Sequence, residues 1–545
     1  MKSQRPEWFE LMLDPAFYPH RPQDVEMVET HISWVFLAGE FVYKVKKPVD
    51  FGFLNYTTLE LRHHYCQEEL RLNRRLCPEI YLAVVPICRQ GQGSYNLKGQ
   101  GEPVEWAVEM KRMPDEGRMD RMIEADLVEE ADIRSLSELL IPFYKGAVCS
   151  RQKAEEFGGL DTVRENCLEN FQQTEEFIGT LIDRQTFDSI KEYTIGFMEG
   201  HADLFTQRQE AGKIVEGHGD LYSANICIDR KHEKIYVFDC IEFNERFRYG
   251  DQACDIAFLL MDLDFLGLSD LSLLMFDLYR DGLREEKTDE LMEFYKCYRA
   301  YVRGKIACFT WASLPSESQT GSQGSASQGK DSPRRLQEGL AKRYFRLALK
   351  YTGALSRPVL YVFMGLTGTG KSTIAKAFSK AHQLAYFNSD VVRKELIAGL
   401  KKTDSRLEPY GKGIYSPEFT KRTYRALSRL AGRRLVLGES VVVDATFTSM
   451  ELRQQAERLA VGAGADIVFI HCTCPEELVR QRFEKRFSED GRVSDGRMEI
   501  YLEQKRAFTP PEISPEAGSH GRVVTLDTTG TVDEVLERLE GLLSR

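Results

Sequence analysis

Apolar, largely aromatic and β-branched residues run over 33–37 and again over 41–45, and Ala38-Gly39-Glu40 between them predicts the turn of a β-hairpin. Residues 1–30 are rich in proline, acids and aromatics and give no clear pattern. On the second strand Lys44 and Lys46 stand two apart and so share one face. The period then becomes helical from about 59 to 76, with Glu68 or Glu69 on the side of Leu72 and Leu76. Strands return at 81–87 and 104–110, and Arg112-Met113-Pro114 closes a small β-rich lobe. A hairpin lysine, a helix glutamate and a last strand running into a linker are the parts of a kinase-type small lobe. Spacing alone leaves Lys44 and Lys46, and Glu68 and Glu69, as alternatives for the nucleotide-positioning pair, with Lys44 and Glu69 adopted as the working pair.

Helical periodicity dominates 115–211, its last long segment running from about 186 to 209, and resumes from 262 to about 311. Residues 313–332, SLPSESQTGSQGSASQGKDS, hold almost no apolar side chain and predict a flexible loop. Because 334–351 is helical again, the loop reads as an excursion between two helices of the first domain. The domain boundary is then expected at Leu355-Ser356-Arg357-Pro358. Beyond it the pattern predicts strands at 359–364, 385–388, 440–443 and 465–472, and helices at 374–382, 417–432 and 475–487.

Two stretches carry chemistry. The first is Gly365 to Thr373, GLTGTGKST, which fits G-x-x-x-x-G-K-[ST] between a buried strand and a helix. Gly365, Gly368 and Gly370 allow backbone N–H groups to face phosphate oxygens at the positive end of that helix. Lys371 supplies a charge for the β and γ phosphates, and Ser372, followed by Thr373, offers a hydroxyl to Mg²⁺. Asp444 ends an apolar strand and is placed to reach the metal directly or through water. Asp390, at the end of the 385–388 strand, faces the loop from the acceptor side, with Arg393 to hold an acid or phosphate group. Arg480, Arg482 and Arg486, followed by a polar stretch around 490–497, form a candidate lid over the transferring phosphate, Arg482 and Arg486 being its nucleotide contacts. The second stretch is His218-Gly219-Asp220-Leu221-Tyr222-Ser223-Ala224-Asn225, followed by a hairpin and an apolar strand that ends at Asp239. The spacing H-x-D-x-x-x-x-N and then D is what a kinase catalytic loop needs. Asp220 accepts the proton of the attacking hydroxyl; Asn225 and Asp239 hold Mg²⁺.

Length and charge narrow the partners. A chain of 545 residues exceeds one core at about 150 residues per domain. A net charge of −11 and a pI near 5.6 argue against a general nucleic-acid or membrane-surface binder, which needs a basic face. The twelve cysteines are scattered without a C-x-x-C pair, as expected of reduced, buried thiols. No signal-peptide pattern and no run of about 18 apolar residues occurs, so a cytoplasmic protein with no membrane partner is expected.

Residues 30 to about 310 resemble the aminoglycoside phosphotransferase and choline-kinase-like family, through the HGD…N loop and Asp255 in DQACDIA, which matches the aspartate that braces that family's loop. Two departures stand out: no evident glycine-rich loop over the phosphates, and Cys240-Ile241-Glu242 after Asp239 in place of an aromatic or glycine. Residues 358–545 resemble P-loop kinases related to polynucleotide kinase, gluconate kinase and zeta toxins. The resemblance implies an α+β two-lobed protein-kinase-like domain over 1–354, with a small lobe at about 30–113 and a helical lobe at 114–354. An α/β P-loop domain with a parallel sheet over 355–545 follows it. It further implies ATP and Mg²⁺ as cofactors and small-molecule hydroxyls as acceptors. Two alternatives remain at this level: a nucleotide-binding switch or scaffold with a degenerate first half, and a nucleic-acid end kinase in the second.

Overall fold

Six antiparallel strands build the small lobe: β1 (Val25–Glu29), β2 (Ser33–Ala38), β3 (Phe41–Lys46), β4 (Tyr81–Gly91), β5 (Ser94–Leu97) and β6 (Glu102–Lys111), in the order β1-β2-β3-β6-β4-β5. The computed structural model describes residues 5–91, 93–286, 288–315, 332–400, 411–486, 498–514 and 520–544, without the side chains of 485 and 486. The flexible loop expected at 313–332 therefore lies, from 316 to 331, outside the described residues. The chain forms two compact units, one from Met1–Leu168, Phe197–Leu259 and Asp281–Thr288, the other from Glu169–Gly196, Leu260–Arg280 and Asp289–Arg545.

In the first unit, strand alternation sorts β3 between two cores. Tyr43 and Val45 face a cluster with Trp34, Phe36 and Ile87, which is covered by Trp8 and Phe9 of the short helix Glu7–Leu11. Trp8 meets Trp34 edge-on with ring centroids 5.8 Å apart. The unpatterned N-terminal segment thus supplies a lid for one face of the sheet and, through β1, its edge. Val42 packs on the other face, against Cys66 and Leu70 of the helix Leu59–Asn73. Lys44 and Lys46 share that face with Val42, so both ammonium groups are directed at the same helix. Thr58 caps the helix by accepting from the Leu61 N–H. The predicted helix over 186–209 is two helices, Arg184–Gly200 and Ala202–Glu210. After β7 (Ile214–Glu216) come the hairpin β8 (Ile226–Asp229) and β9 (Lys234–Val237), and then β10 (Tyr249–Asp251), which pairs back to β7.

The second unit holds a five-stranded parallel sheet: β11 (Val359–Met364), β12 (Ala385–Asn388), β13 (Val441–Asp444), β14 (Asp466–Thr473) and β15 (Gly521–Asp527), in the order β12-β13-β11-β14-β15. β11 is central, and its successor loop opens into the helix Lys371–Ala381. The chain leaves β11 for β12 on one side and later passes from β13 to β14 on the other. A ligand crevice at the carboxyl ends follows from that reversal.

Helices that precede β11 in sequence pack with it. Backbone meets backbone between residues 266–269 and the helices Pro417–Leu435 and Met450–Gly462. A Cβ on Gly267 would lie 2.2 Å from the Arg429 carbonyl oxygen, one on Gly432 2.2 Å from the Gly267 oxygen, and one on Gly462 2.1 Å from the Ser269 oxygen. The Arg433 Nε–H donates to the Leu266 carbonyl at 3.1 Å. Asp264, buried, accepts from the Tyr351 hydroxyl at 2.8 Å and pairs with Lys296 at 2.8 Å, tying the helices Asp289–Ser313 and Pro333–Tyr351 to the same segment.

Among the described residues no helix is long and apolar enough to cross a membrane. All twelve cysteines are free thiols. Gly267 also holds a φ of +89°, so Gly267→Ala meets both strain and collision. The substitution should cost about 2 kcal/mol or more. It should speed amide hydrogen exchange across 417–462 in the full-length chain; unaltered protection there would contradict the close backbone approach.

Candidate functional sites

The first site gathers on the helix-facing side of β3. The Lys44 ammonium lies 2.6 Å from Asp239 and 2.8 Å from Glu69. Glu69 is fully buried, and its other oxygen takes Lys46 at 2.6 Å. Burial would raise the Glu69 carboxyl, but Lys44 and then Lys46 outweigh it and hold it at about 2. Geometry therefore selects Glu69 over Glu68, which is turned away to Arg71 at 2.9 Å. Contact with Glu69 alone does not choose between the lysines, since both touch it. Only Lys44 also reaches Asp239.

The catalytic loop between β7 and β8 is braced from below. The Asp255 carboxylate accepts the N–H groups of His218 and Gly219, each at 2.8 Å, and the Tyr144 hydroxyl at 3.0 Å. His218 is fully buried; its Nε2–H donates to the Phe238 carbonyl at 2.9 Å and its Nδ1 accepts the Asp220 N–H at 3.3 Å. Burial lowers its pKa, so it stands as a neutral imidazole that shapes the loop. Asn225 donates from Nδ2 to the Asp220 carbonyl at 2.9 Å and to an Asp220 carboxylate oxygen at 3.0 Å, which leaves its own carbonyl oxygen for a cation. Asp239 sits in a left-handed conformation, φ +66°, with its side chain 45% exposed. The loop thus brings Asp220, Asn225, Asp239 and Lys44 into one site.

Sequence reasoning missed Glu242 and Tyr56. The Tyr56 hydroxyl donates to Glu242 at 2.6 Å, and Lys46 pairs with the same carboxylate. No local signal marks this triad, since its members come from a strand, a loop and the segment after β9.

In the second site the three loop glycines adopt φ values of +135°, +83° and +87° at Gly365, Gly368 and Gly370, which turn the backbone N–H groups inward ahead of the helix. Lys371 makes no hydrogen bond or ion pair among the described residues. Ser372 is half-buried and Thr373 exposed. Asp444, fully buried at the end of β13, accepts from the Tyr386 hydroxyl at 2.7 Å and from Asn388 Nδ2 at 2.6 Å. Its Oδ1 is buried with no hydrogen-bond partner among the described residues, the condition expected of an oxygen meant for a cation or its water. Tyr386 and Asn388 alternate on one face of β12, so a period-two reading could have found them. Asn388 also caps the turn that presents Asp390, its Oδ1 accepting the Asp390 and Val391 N–H groups at 3.0 and 3.1 Å.

Arg393, Arg480 and Arg482 each have partners within the protein. Arg393 is buried and donates to the Ile414 carbonyl at 2.7 Å and to the Thr420 hydroxyl at 3.3 Å, with its guanidinium over the Tyr415 ring. Its Nε is buried with no hydrogen-bond partner among the described residues. Arg482 donates to the Thr528 carbonyl at 2.8 Å and to the Gly368 carbonyl at 3.4 Å, so it buttresses the phosphate loop from the side. Arg480 is an exposed partner of Glu476. The Arg486 side chain and the lid stretch over 490–497 lie outside the described residues.

A family model described as an AAA domain matches residues 360–511. The uncharacterized protein Rv2004c of Mycobacterium tuberculosis is 30% identical over 490 residues, covering 87% of this chain and 88% of that protein, and so is Mb2027c of Mycobacterium bovis. Among solved structures, a spectinomycin phosphotransferase in complex with ADP and spectinomycin is 12% identical, covering 65% of this chain and 99% of its own, with a TM-score of 0.36. A sugar kinase from Janibacter is 20% identical over 35% of this chain and 95% of its own, with a TM-score of 0.27. Strand order and the two loop constellations, rather than those scores, define the folds. The first unit is aminoglycoside-phosphotransferase-like and choline-kinase-like, and the second contains a P-loop α/β domain.

At the mouth of the catalytic loop Glu216 takes Arg71 at 2.8 Å, Arg75 at 3.2 Å and Arg248 at 3.2 Å. Burial opposes its ionisation, yet the arginines prevail and hold it at about 2. A carboxyl depressed in the folded state contributes stability above its unfolded pKa and loses it as pH falls through the folded value. The Glu216 contribution should therefore be complete above about pH 4.5 and vanish towards pH 2. The urea midpoint of Glu216→Gln should depend less on pH than wild type between pH 5 and 3; parallel curves would contradict the assignment.

Proposed function

The chain belongs to the family of those full-length mycobacterial proteins, and we propose that it is a tandem ATP-dependent phosphotransferase. Each half binds ATP with Mg²⁺ and phosphorylates a hydroxyl of a small acceptor. The observation that carries the proposal is the contact of Lys44 with both Glu69 and Asp239, at 2.8 and 2.6 Å, beside a braced Asp220-to-Asn225 loop. A degenerate kinase fold has no reason to keep all of these groups in register.

The donor sets fit the cofactor. Asn225 and the half-exposed Asp239 would hold one metal site, and Ser372 with the orphaned Asp444 Oδ1 the other. Bound ATP-Mg²⁺ supplies the phosphoryl group and its charge neutralisation. The protein's part is positioning. Asp220, oriented by Asn225, accepts the acceptor's proton. His218 stays neutral and shapes the loop. Lys44 and Lys371 provide the cationic contacts for the phosphates in the two halves. Asp390 orients or deprotonates the second acceptor hydroxyl from the opposite wall of the crevice.

Full-length protein should bind two ATP-Mg²⁺ per chain by calorimetry, and Lys371→Ala should bind one. Two sites persisting in Lys371→Ala would remove the P-loop assignment. Asp390→Asn should keep both bound nucleotides and lose transfer by the second half, found by screening sugars, nucleosides and other metabolite hydroxyls. Loss of nucleotide binding with transfer intact would reverse the role given to Asp390.

In the Lys371→Ala background the remaining site separates two carboxylates. Asp239→Asn should weaken metal-dependent binding as well as turnover, because Asp239 belongs to the metal set. Asp220→Asn should leave ATP-Mg²⁺ affinity near that of its parent and lower turnover by about 10² to 10⁴, the range of a positioned general base. Equal effects of the two substitutions on binding would mean that the loop does not divide the work in this way.

A further inference from the structure

Lys46 is fully buried, so it has no access to a nucleotide, yet it stands two residues from Lys44 on the same face of β3. Its ammonium pairs with Glu69 and with Glu242 and lies 4.9 Å from the centre of the Tyr56 ring. The groups form an alternating chain, Asp239 to Lys44 to Glu69 to Lys46 to Glu242, whose two ends belong to one short segment.

That segment is held at every residue. The Asp239 N–H donates to the Tyr81 hydroxyl at 3.3 Å, the Cys240 N–H to Asn73 Oδ1 at 3.0 Å and the Ile241 N–H to the His218 carbonyl at 3.0 Å. Arg248 donates to the carbonyls of Ile241 and Glu242, both at 3.1 Å. Glu242 adds a charged side-chain anchor at the far end, fixed by Lys46 and by the Tyr56 hydroxyl. An aspartate at φ +66° persists only where its surroundings over-determine it.

We propose that Lys46 is a positioning residue of the first nucleotide site: it keeps Glu69 paired when Lys44 turns to phosphate, and through Glu242 it fixes the segment that presents Asp239 to the metal. The inference rests on the phosphotransferase reading of the first half. One ammonium could not serve both a buried carboxylate and a phosphate without leaving Glu69 partly unpaired in the interior. A second, inaccessible ammonium removes that conflict. The departure after Asp239 noted in the sequence, Cys240-Ile241-Glu242, is then the counterpart of the second lysine.

The experiment uses full-length protein carrying Lys371→Ala, so that only the first site reports. ATP affinity is measured with Mg²⁺ and with EDTA, for the parent and for Lys46→Met, Glu242→Gln and Tyr56→Phe. Lys46→Met should lower ATP-Mg²⁺ affinity tenfold or more, Glu242→Gln several-fold and Tyr56→Phe two- to threefold. The increment that Mg²⁺ adds to binding should shrink in the same order. A purely structural role would lower the thermal midpoint while leaving that increment as in the parent, and this result would overturn the proposal. Should Lys46→Met fail to fold, the other two variants decide by the same ratio, and an unchanged ratio in both would overturn it. A parent that binds no ATP-Mg²⁺ would instead refute the phosphotransferase reading of the first half, a different outcome from a parent that binds and variants that match it.

Discussion

A carboxylate taken wholly out of water must be matched by charge, and the first half of this protein is arranged around meeting that need for Glu69. Removing one partner from a buried pair commonly costs about 3–5 kcal/mol, because the charge left behind has no solvent to turn to. Glu69 takes one ammonium on each oxygen, from Lys44 and from Lys46. The consequences run outward along the backbone. Sharing the helix requires both lysines on one face of β3, which the period of two guarantees. Their second partners, Asp239 and Glu242, then fix where the segment after β9 can lie, and that segment's N–H groups lock onto His218 and Asn73. Nucleotide chemistry and core packing share the same charges.

The second half meets a similar demand with different means. Asp444 is as buried as Glu69 but is held by two neutral donors, Tyr386 and Asn388, on one oxygen only. The phosphate recognition proposed there would fall to backbone, which glycine φ values aim and which Arg482 and Thr528 brace from the flank. The loop can be read from nine consecutive residues because its function is local. Its support comes from residues more than a hundred positions away.

What was legible in the chain follows the same distinction. Apolar runs and helical patterns found β2, β3, the helix carrying Glu69 and every strand of the parallel sheet except β15. Fixed spacings singled out Asp220, Asn225 and Asp239 as candidates. Patterns failed where an element is defined by what it covers. β1 and the helix with Trp8 and Phe9 lie in an unpatterned stretch because they close one face of the sheet with aromatics. The close approach of residues 266–269 to two later helices depends on missing Cβ atoms at Gly267, Gly432 and Gly462, three glycines that read as ordinary interruptions. Arg393 shows the converse: its position after Asp390 suggested a ligand, and the carbonyl, hydroxyl and aromatic ring that one of its amino groups and its guanidinium face come from residues more than twenty positions on.

The two carboxylates proposed to hold metal differ in what stands against them, and the difference has an electrostatic consequence. Asp239 already has a cation, Lys44, at 2.6 Å. The cluster Asp239, Lys44, Glu69, Lys46 and Glu242 holds three anions against two ammonium groups, so it carries one uncompensated negative charge at its half-exposed end. A divalent cation there lowers the cost of drawing Lys44 away from Asp239 towards phosphate, because it replaces the charge that Asp239 loses. Under the proposed function, metal and nucleotide would therefore be coupled through one lysine in the first half. In the second, Lys371 has no protein anion among the described residues to leave, and Asp444 keeps its neutral donors whether or not a cation is near. Metal and phosphate there meet a site whose internal pairs need not be broken, and their mutual dependence arises only from their direct attraction.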